Sequence, residues 1–246
     1  MSGTVRLYVE HPLGQGQTIP LERAQAHYLF GVMRLEAGAE LLLFNGADGE
    51  WRAEVAQVGK RGGVLVCREQ SRAQAAPPDL WLVFAPVKKA QTQFIVEKAV
   101  EMGVAHLQPV LTEFTNSERL RVDKARLHAI EAAEQCGATY VPEVAEPQKL
   151  SRLLDQWPAE RRLLFCDEAQ AGGSSALAGL LALRDRAAGP WAILIGPEGG
   201  FSEPERARLQ GFDFTHPVAL GPRILRAETA AVAALTLWQA ALGDWQ

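Results

Sequence analysis

From Leu80 onward the sequence changes period again and again. LWLVFAPV, HLQPVLT, RLLFCDE, WAILIG and HPVAL are short apolar runs of the buried-strand type. Between them lie KKAQTQFIVEKAVEMG, RVDKARLHAIEAAEQCG, SALAGLLALRDR, SEPERARLQG and ILRAETAAVAALTLWQAAL, which carry helical spacing and end in glycine or polar residues. Strands that alternate with helices pair in parallel through crossovers, and both faces of the sheet are then covered. An α/β fold is therefore expected over this part of the chain.

Upstream the grammar differs. TVRLYVE alternates, and ELLLFNGADGEWRAEVAQV places two strands around a turn at Asn45-Gly46 and Asp48-Gly49. GGVLVCRE reads as another strand, and LERAQAHYLFGVMRL as one helix between them. This predicts a small β-barrel carrying a helix. SRAQAAPPD, residues 71–79, is small and polar and ends in a proline pair, which marks a boundary. Two domains follow, 1–72 and 73–246, and 246 residues suffice for both cores.

Charge narrows the choice of partner. The net charge is −4, and residues 1–70 hold 7 basic and 8 acidic side chains, so no global field recruits nucleic acid. A nucleic-acid partner would have to be met by a local patch. Cys67, Cys136 and Cys166 form no C-x-x-C pair and read as thiols of a reducing, cytoplasmic compartment. Arg6, Glu10 and Pro12 interrupt any apolar start, so no leader peptide is expected, and no run is long enough to span a membrane.

Ligands of open α/β sheets sit beyond the carboxyl ends of the strands. Three such ends stand out: LLFCDEA, ILIGPEGGFS and VALGPRILRAET. In the second, Gly196 to Gly200 offers bare main chain, and Ser202 with Glu205 fits a capping box that starts a helix. The third places Arg223, Arg226, Glu228 and Thr229 at the start of an alanine-rich helix. No lysine follows Gly200, so this is not a phosphate-binding P-loop, and no G-x-G-x-x-G exists. GGSSALAG is not a nucleophile elbow, and the histidines show no metal spacing, so no metal is expected. The residues themselves point to a small-ligand site between the two glycine loops, without naming the ligand.

At these loops the sequence resembles the RsmE family of 16S ribosomal RNA methyltransferases, of the SPOUT class. LIGPEGGFS with its following glutamate and LGPRILRAETA resemble the family's signature segments. EKAVEMGV, EAAEQCG and VPEV resemble its middle region, and RLYV, HYLFGVMRL and LFNGADGEW its N-terminal domain. Ala138, Ala227 and Gln91 depart from the usual family residues. The resemblance implies a PUA-like β-barrel followed by a C-terminal α/β domain tied in a trefoil knot. It implies a homodimer that binds S-adenosylmethionine and methylates N3 of one uridine in 16S rRNA, on the assembled small subunit.

On that resemblance, Leu194, Ile195, Gly196, Pro197, Glu198, Gly199 and Gly200 would meet the adenine and ribose of the cofactor. Leu220, Gly221, Ile224 and Leu225 would form the opposite wall. Uracil N3 must lose a proton to become a nucleophile, and charge then spreads to O2 and O4. Arg226 is the candidate to stabilise that charge and Glu228 the candidate base. Arg6, Arg34 and Arg52 in the barrel, and Arg119 and Arg121 in the ERLRVDKAR run, are the candidate RNA contacts. Two rivals share these features: a ribosome-assembly or RNA-binding factor without activity, and a knotted enzyme acting on another base or a ribose 2′-hydroxyl. The intact glycine loops argue against the first, and the N-terminal motifs against the second.

Overall fold

The computed structural model describes residues 4–59, 61–116, 120–170, 175–184 and 189–245. Arg119 and part of the GGSSALAG stretch lie outside them. The chain forms two compact units, Met1–Ala76 with Ala133–Val141, and Pro77–Ala132 with Pro142–Gln246.

The first unit is a curled five-stranded sheet in the order β1-β3-β4-β5-β2. Its strands are β1 (Arg6–Tyr8), β2 (Thr18–Pro20), β3 (Glu40–Phe44), β4 (Glu50–Val58) and β5 (Gly63–Arg72). β3 and β4 are the hairpin expected from the sequence. Its turn is held by the Asn45 carboxamide, whose oxygen accepts the N–H groups of Ala47 and Asp48 at 3.0 and 2.8 Å. Alternate residues of the strands, among them Leu41, Leu43, Ala53, Val55, Leu65 and Cys67, meet in one core with Leu29. The single helix expected over Leu21–Leu35 is instead α1 (Arg23–Ala26) followed by a π-helical turn, His27–Val32. The wider turn keeps Leu29 buried and leaves Tyr28, Val32 and Met33 exposed. Arg34 follows with a φ of 57°, in the left-handed region that a bulky residue seldom occupies.

The second unit holds seven described strands, all paired in parallel. The order is β12-β10-β11-β6-β7-β8, with β9 beside β7. They are β6 (Leu80–Phe84), β7 (His106–Leu111), β8 (Glu143–Val144), β9 (Gln148–Lys149), β10 (Arg162–Cys166), β11 (Trp191–Ile195) and β12 (Thr215–Val218). Every residue of β11 is buried, as expected of a strand covered on both faces. β11 lies between β6 and β10, so its carboxyl end opens beside that of β10, which in turn flanks β12.

The helices are α2 (Lys89–Glu101), α3 (Val122–Cys136), α4 (Leu150–Asp155), α5 (Ala176–Ala182), α6 (Glu203–Gln210) and α7 (Ala227–Leu242). β8, β9 and α4 were not legible in the sequence. Leu150, Leu153 and Leu154 of α4 join Val83, Phe165, Leu194, Phe201 and Leu209 in the core. In α7 the small side chains of Ala231 and Ala234 are buried with Leu235 and Trp238, so its alanines serve close packing within this unit.

Candidate functional site

The loops after β10, β11 and β12 converge on one cavity of about 600 Å³, counting the space open to solvent. Cys166, Asp167 and Glu168 come from the first loop. Ile195, Gly196, Pro197, Glu198 and Gly200 come from the second. Leu220, Gly221, Ile224 and Leu225 come from the third, followed by Ala227 and Ala230 on α7. The two glycine loops thus face one space, and the β10 end completes it.

The second loop is fastened from several sides. Gly196 leaves room for the buried ring of Phe201, which a Cβ at that position would meet at 2.7 Å. That ring packs edge-on against Phe165 at 5.0 Å. Gly200 has a φ of 67°, and an added Cβ would collide with the Glu168 carboxylate. The Gly200 N–H donates to the Pro197 carbonyl at 2.9 Å, closing the turn. The capping box forms: Glu205 Oε2 accepts the Ser202 N–H at 3.0 Å. Its other oxygen accepts the Glu113 N–H at 2.9 Å, so one carboxylate ties the loop after β7 to the start of α6. Some of these glycines are thus required by the protein itself, whatever ligand they meet.

Arg206 of α6 reaches back to the β10 end, a role the sequence reading missed. Its Nε donates to Asp167 Oδ1 at 3.0 Å, and its other arm pairs with Glu168. Burial pulls this guanidinium's pKa down, but the two carboxylates outweigh it and the net shift is upward. The signal was available: a cation near a helix N-terminus opposes the dipole and needs a specific partner. The Asp167 side chain is fully buried, and its Oδ2 has no partner among the described residues. Cys166, beside it, is no candidate nucleophile, because burial pushes its thiol up to about 12.

The third loop is different. Among the described residues, Leu220 to Leu225 make no hydrogen bond to the rest of the protein. Ile224 is 76% exposed at the cavity rim. Gly221 has a φ of 114°, where only glycine is comfortable. Arg223 lines the cavity, although the sequence reading gave it no role. Arg226 is the uncapped N-cap of α7, exposed and without an ion pair among the described residues. Glu228 lies in the first turn of α7, half-buried. Neither Arg226 nor Glu228 lines the cavity as it stands.

Several expected site residues are placed elsewhere. Leu194 belongs to the core, because strand alternation turns it away from the cavity. Gly199 faces Phe114, whose Cβ lies 3.1 Å from where a side chain would begin. Arg6 is not open to RNA. It donates to Glu50 at 2.7 Å and to the carbonyl oxygens of Ala133, Glu134 and Ala138, tying β1 to the end of α3. Burial raises the Glu50 pKa, but bonds from Arg72, Arg6 and Ser71 outweigh it and hold the carboxyl down at about 2. Arg52 is exposed between Glu40 and Glu69, and Arg121 pairs with Asp123. Arg34 is exposed with no ion pair among the described residues.

Comparison with known proteins agrees with this architecture. Residues 74–239 match the RNA methyltransferase domain family, and residues 21–66 match the RNA methyltransferase PUA domain family. The chain belongs to the RNA methyltransferase family, within its RsmE group. It is 28% identical to the ribosomal RNA small subunit methyltransferase E of Rickettsia conorii, over 94% of this chain and 93% of that one. The corresponding protein of Buchnera aphidicola subsp. Schizaphis graminum is 27% identical, over 97% of each chain. Among solved structures, a Legionella pneumophila protein in complex with bound SAM is 30% identical, with a TM-score of 0.86 over 98% of this chain and 99% of that one. The ribosomal RNA small subunit methyltransferase E of Neisseria gonorrhoeae, bound to S-adenosylmethionine, is 27% identical, with a TM-score of 0.85 over 99% and 100%. Among the described residues no helix is long and apolar enough to cross a membrane, and no cluster of metal-ligating side chains occurs.

Proposed function

We propose that the protein transfers a methyl group from S-adenosylmethionine to N3 of a uridine in 16S rRNA. The observation that carries this reading is the convergence of both glycine loops and the β10 end on one cavity. The cavity suits the cofactor chemically. Ile195, Val218, Leu220 and Leu225 give it apolar walls, and among the described lining residues Glu198 and Arg223 carry charge beside Asp167 and Glu168, which Arg206 already pairs. A partly apolar ligand that carries both signs of charge fits that lining.

The bound cofactor would supply an activated methyl group that needs no metal. The remaining tasks fall to the chain. Ile195 to Gly200 hold the donor on bare main chain, and Leu220 to Leu225 close over it. Positioning supplies much of the rate of such an in-line transfer. Arg226 donates to a uracil oxygen as charge develops on the ring, and Glu228 takes the N3 proton. Both lie on the turn that follows the unfastened loop, so closure of that loop would carry them toward the reacting atoms. Arg34, Arg52 and Arg121 are exposed and serve the RNA. Arg119 remains part of the same proposal.

The wider setting follows the family: a knotted methyltransferase domain, a homodimer, the assembled small subunit as substrate, and the cytoplasm as compartment. The test is nucleoside mass spectrometry of small subunits incubated with the protein and labelled S-adenosylmethionine. The reading predicts labelled 3-methyluridine from subunits and far less from naked rRNA. Label in a ribose methyl, in another base or in none contradicts it.

A further inference from the structure

We propose that a second groove on the methyltransferase unit, between the start of α2 and the first half of α3, grips the phosphodiester backbone of the RNA substrate. This rests on the reading above that the substrate is RNA. It adds a contact surface distinct from the methyl-transfer cavity, with which it shares no lining residue among those described.

The groove encloses about 1160 Å³, counting the space open to solvent. Lys88 and Lys89 stand on the α2 side, and Arg121, Lys124 and His128 on the α3 side. Among the described residues no carboxylate lines the groove. Arg121 shares its charge with Asp123 at 2.5 Å, and His128 Nδ1 lies 3.3 Å from Glu131. Lys88, Lys89 and Lys124 are exposed and have no ion pair among the described residues. Three uncompensated ammonium groups on one groove are unexpected in a chain of net charge −4.

The arrangement is also costly to the helix that carries it. Lys88 is the N-cap of α2 and Lys89 its first residue, with no acid in the first turn and no side-chain cap. Two cations thus sit at the positive end of the helix dipole, where carboxylates are favoured. Thr92, the nearest hydroxyl, is committed: its Oγ1 accepts the Val87 N–H at 3.0 Å and donates to the Val87 carbonyl at 2.9 Å. By contrast α6 has Ser202 as its N-cap, with Glu203 and Glu205 in its first turn. A bound anion would reverse the penalty at α2.

The charges favour a polyanion over a small ligand. All three free lysines are exposed point charges on two helices, and none is a buried, aimed donor of the kind that fixes a small anion. An extended backbone can pass between the helices and meet them in turn.

The test is the full chain carrying Lys88→Gln, Lys89→Gln and Lys124→Gln together, with filter binding to labelled small ribosomal subunits across a salt series. Each phosphate contact contributes about 0.7 to the slope of log affinity against log salt on a single strand, so the slope should become shallower by about 2. S-adenosylmethionine affinity by calorimetry and the melting temperature should match the wild type. If the triple variant fails to fold, Lys124→Gln alone should lower the slope by about 0.7. An unchanged slope overturns the proposal. So does an unchanged slope accompanied by altered sedimentation, which would make the groove a contact between copies. If the slope falls but the wild type transfers no methyl group, the groove stands and the functional reading above fails.

Discussion

The two glycine loops look alike in sequence and are built differently. Each leaves an apolar strand through Gly-Pro and enters a helix. The loop after β11 is bolted down by the Phe201 ring, the Gly200 turn, the Ser202–Glu205 box and the Arg206 pairs. The loop after β12 has none of these ties among the described residues and exposes Ile224. The difference teaches a division of labour. The first loop is a finished floor, organised before any ligand arrives. On the proposed reading the second would take its order from the cofactor, and it carries the groups that would act on the acceptor.

Substitutions in the two loops should therefore fail in different ways. The largest effect is expected in the second. Arg226→Ala should lower single-turnover methylation of small subunits by about 10²–10³, or roughly 2.7–4 kcal/mol, with little change in melting temperature or cofactor affinity. Arg226→Lys should restore only part, since a point charge lacks the planar fork. A variant that turns over normally with saturating cofactor would remove Arg226 from catalysis.

Behind the first loop, Arg206→Ala should cost stability. It leaves the buried Asp167 carboxylate without its cation. About 3 kcal/mol is expected by urea denaturation, the low end for a buried pair because the guanidinium keeps some contact with water. A loss below about 1 kcal/mol would mean that the β10 end does not depend on α6. Gly200→Ala is the next step down. The left-handed backbone alone costs roughly 1–2 kcal/mol, and the Glu168 contact adds to it. Cofactor affinity should fall with stability, because the floor itself is displaced. The smallest effect belongs to Ile224→Ser, which should change stability by no more than about 0.5 kcal/mol. It should still weaken cofactor or subunit binding, as no change in either would leave the exposed Ile224 without a role.

The contrast between the loops was not legible in the sequence, because their fastenings come from far along the chain. Glu205 meets the loop after β7, and Arg206 meets the end of β10. Local spacing could show the capping box, which is a property of four consecutive residues. It could not show where its second oxygen goes. The sheet was readable for the opposite reason: runs such as WAILI leave a strand buried on both faces as the natural choice. β8 and β9 were not, since two residues carry no period. The π-helical turn escaped too, because Leu29, Val32 and Met33 keep an α-helical rhythm in the sequence, although the structure exposes the last two. Leu194 was drawn into the site by its neighbours in the motif, although strand alternation sends it to the core. Arg6 reads as a candidate RNA contact in the sequence, because its partner Glu50 is 44 residues away.

Hydrogen exchange of the full chain, with and without S-adenosylmethionine, tests the division of labour most directly. Without cofactor, the Gly200 and Ser202 amides should exchange slowly, since both are already bonded. The amides between Leu220 and Leu225 should exchange fast and slow markedly when cofactor saturates. Equal, fast exchange of both segments without cofactor, or a second loop that cofactor leaves unchanged, would contradict the account.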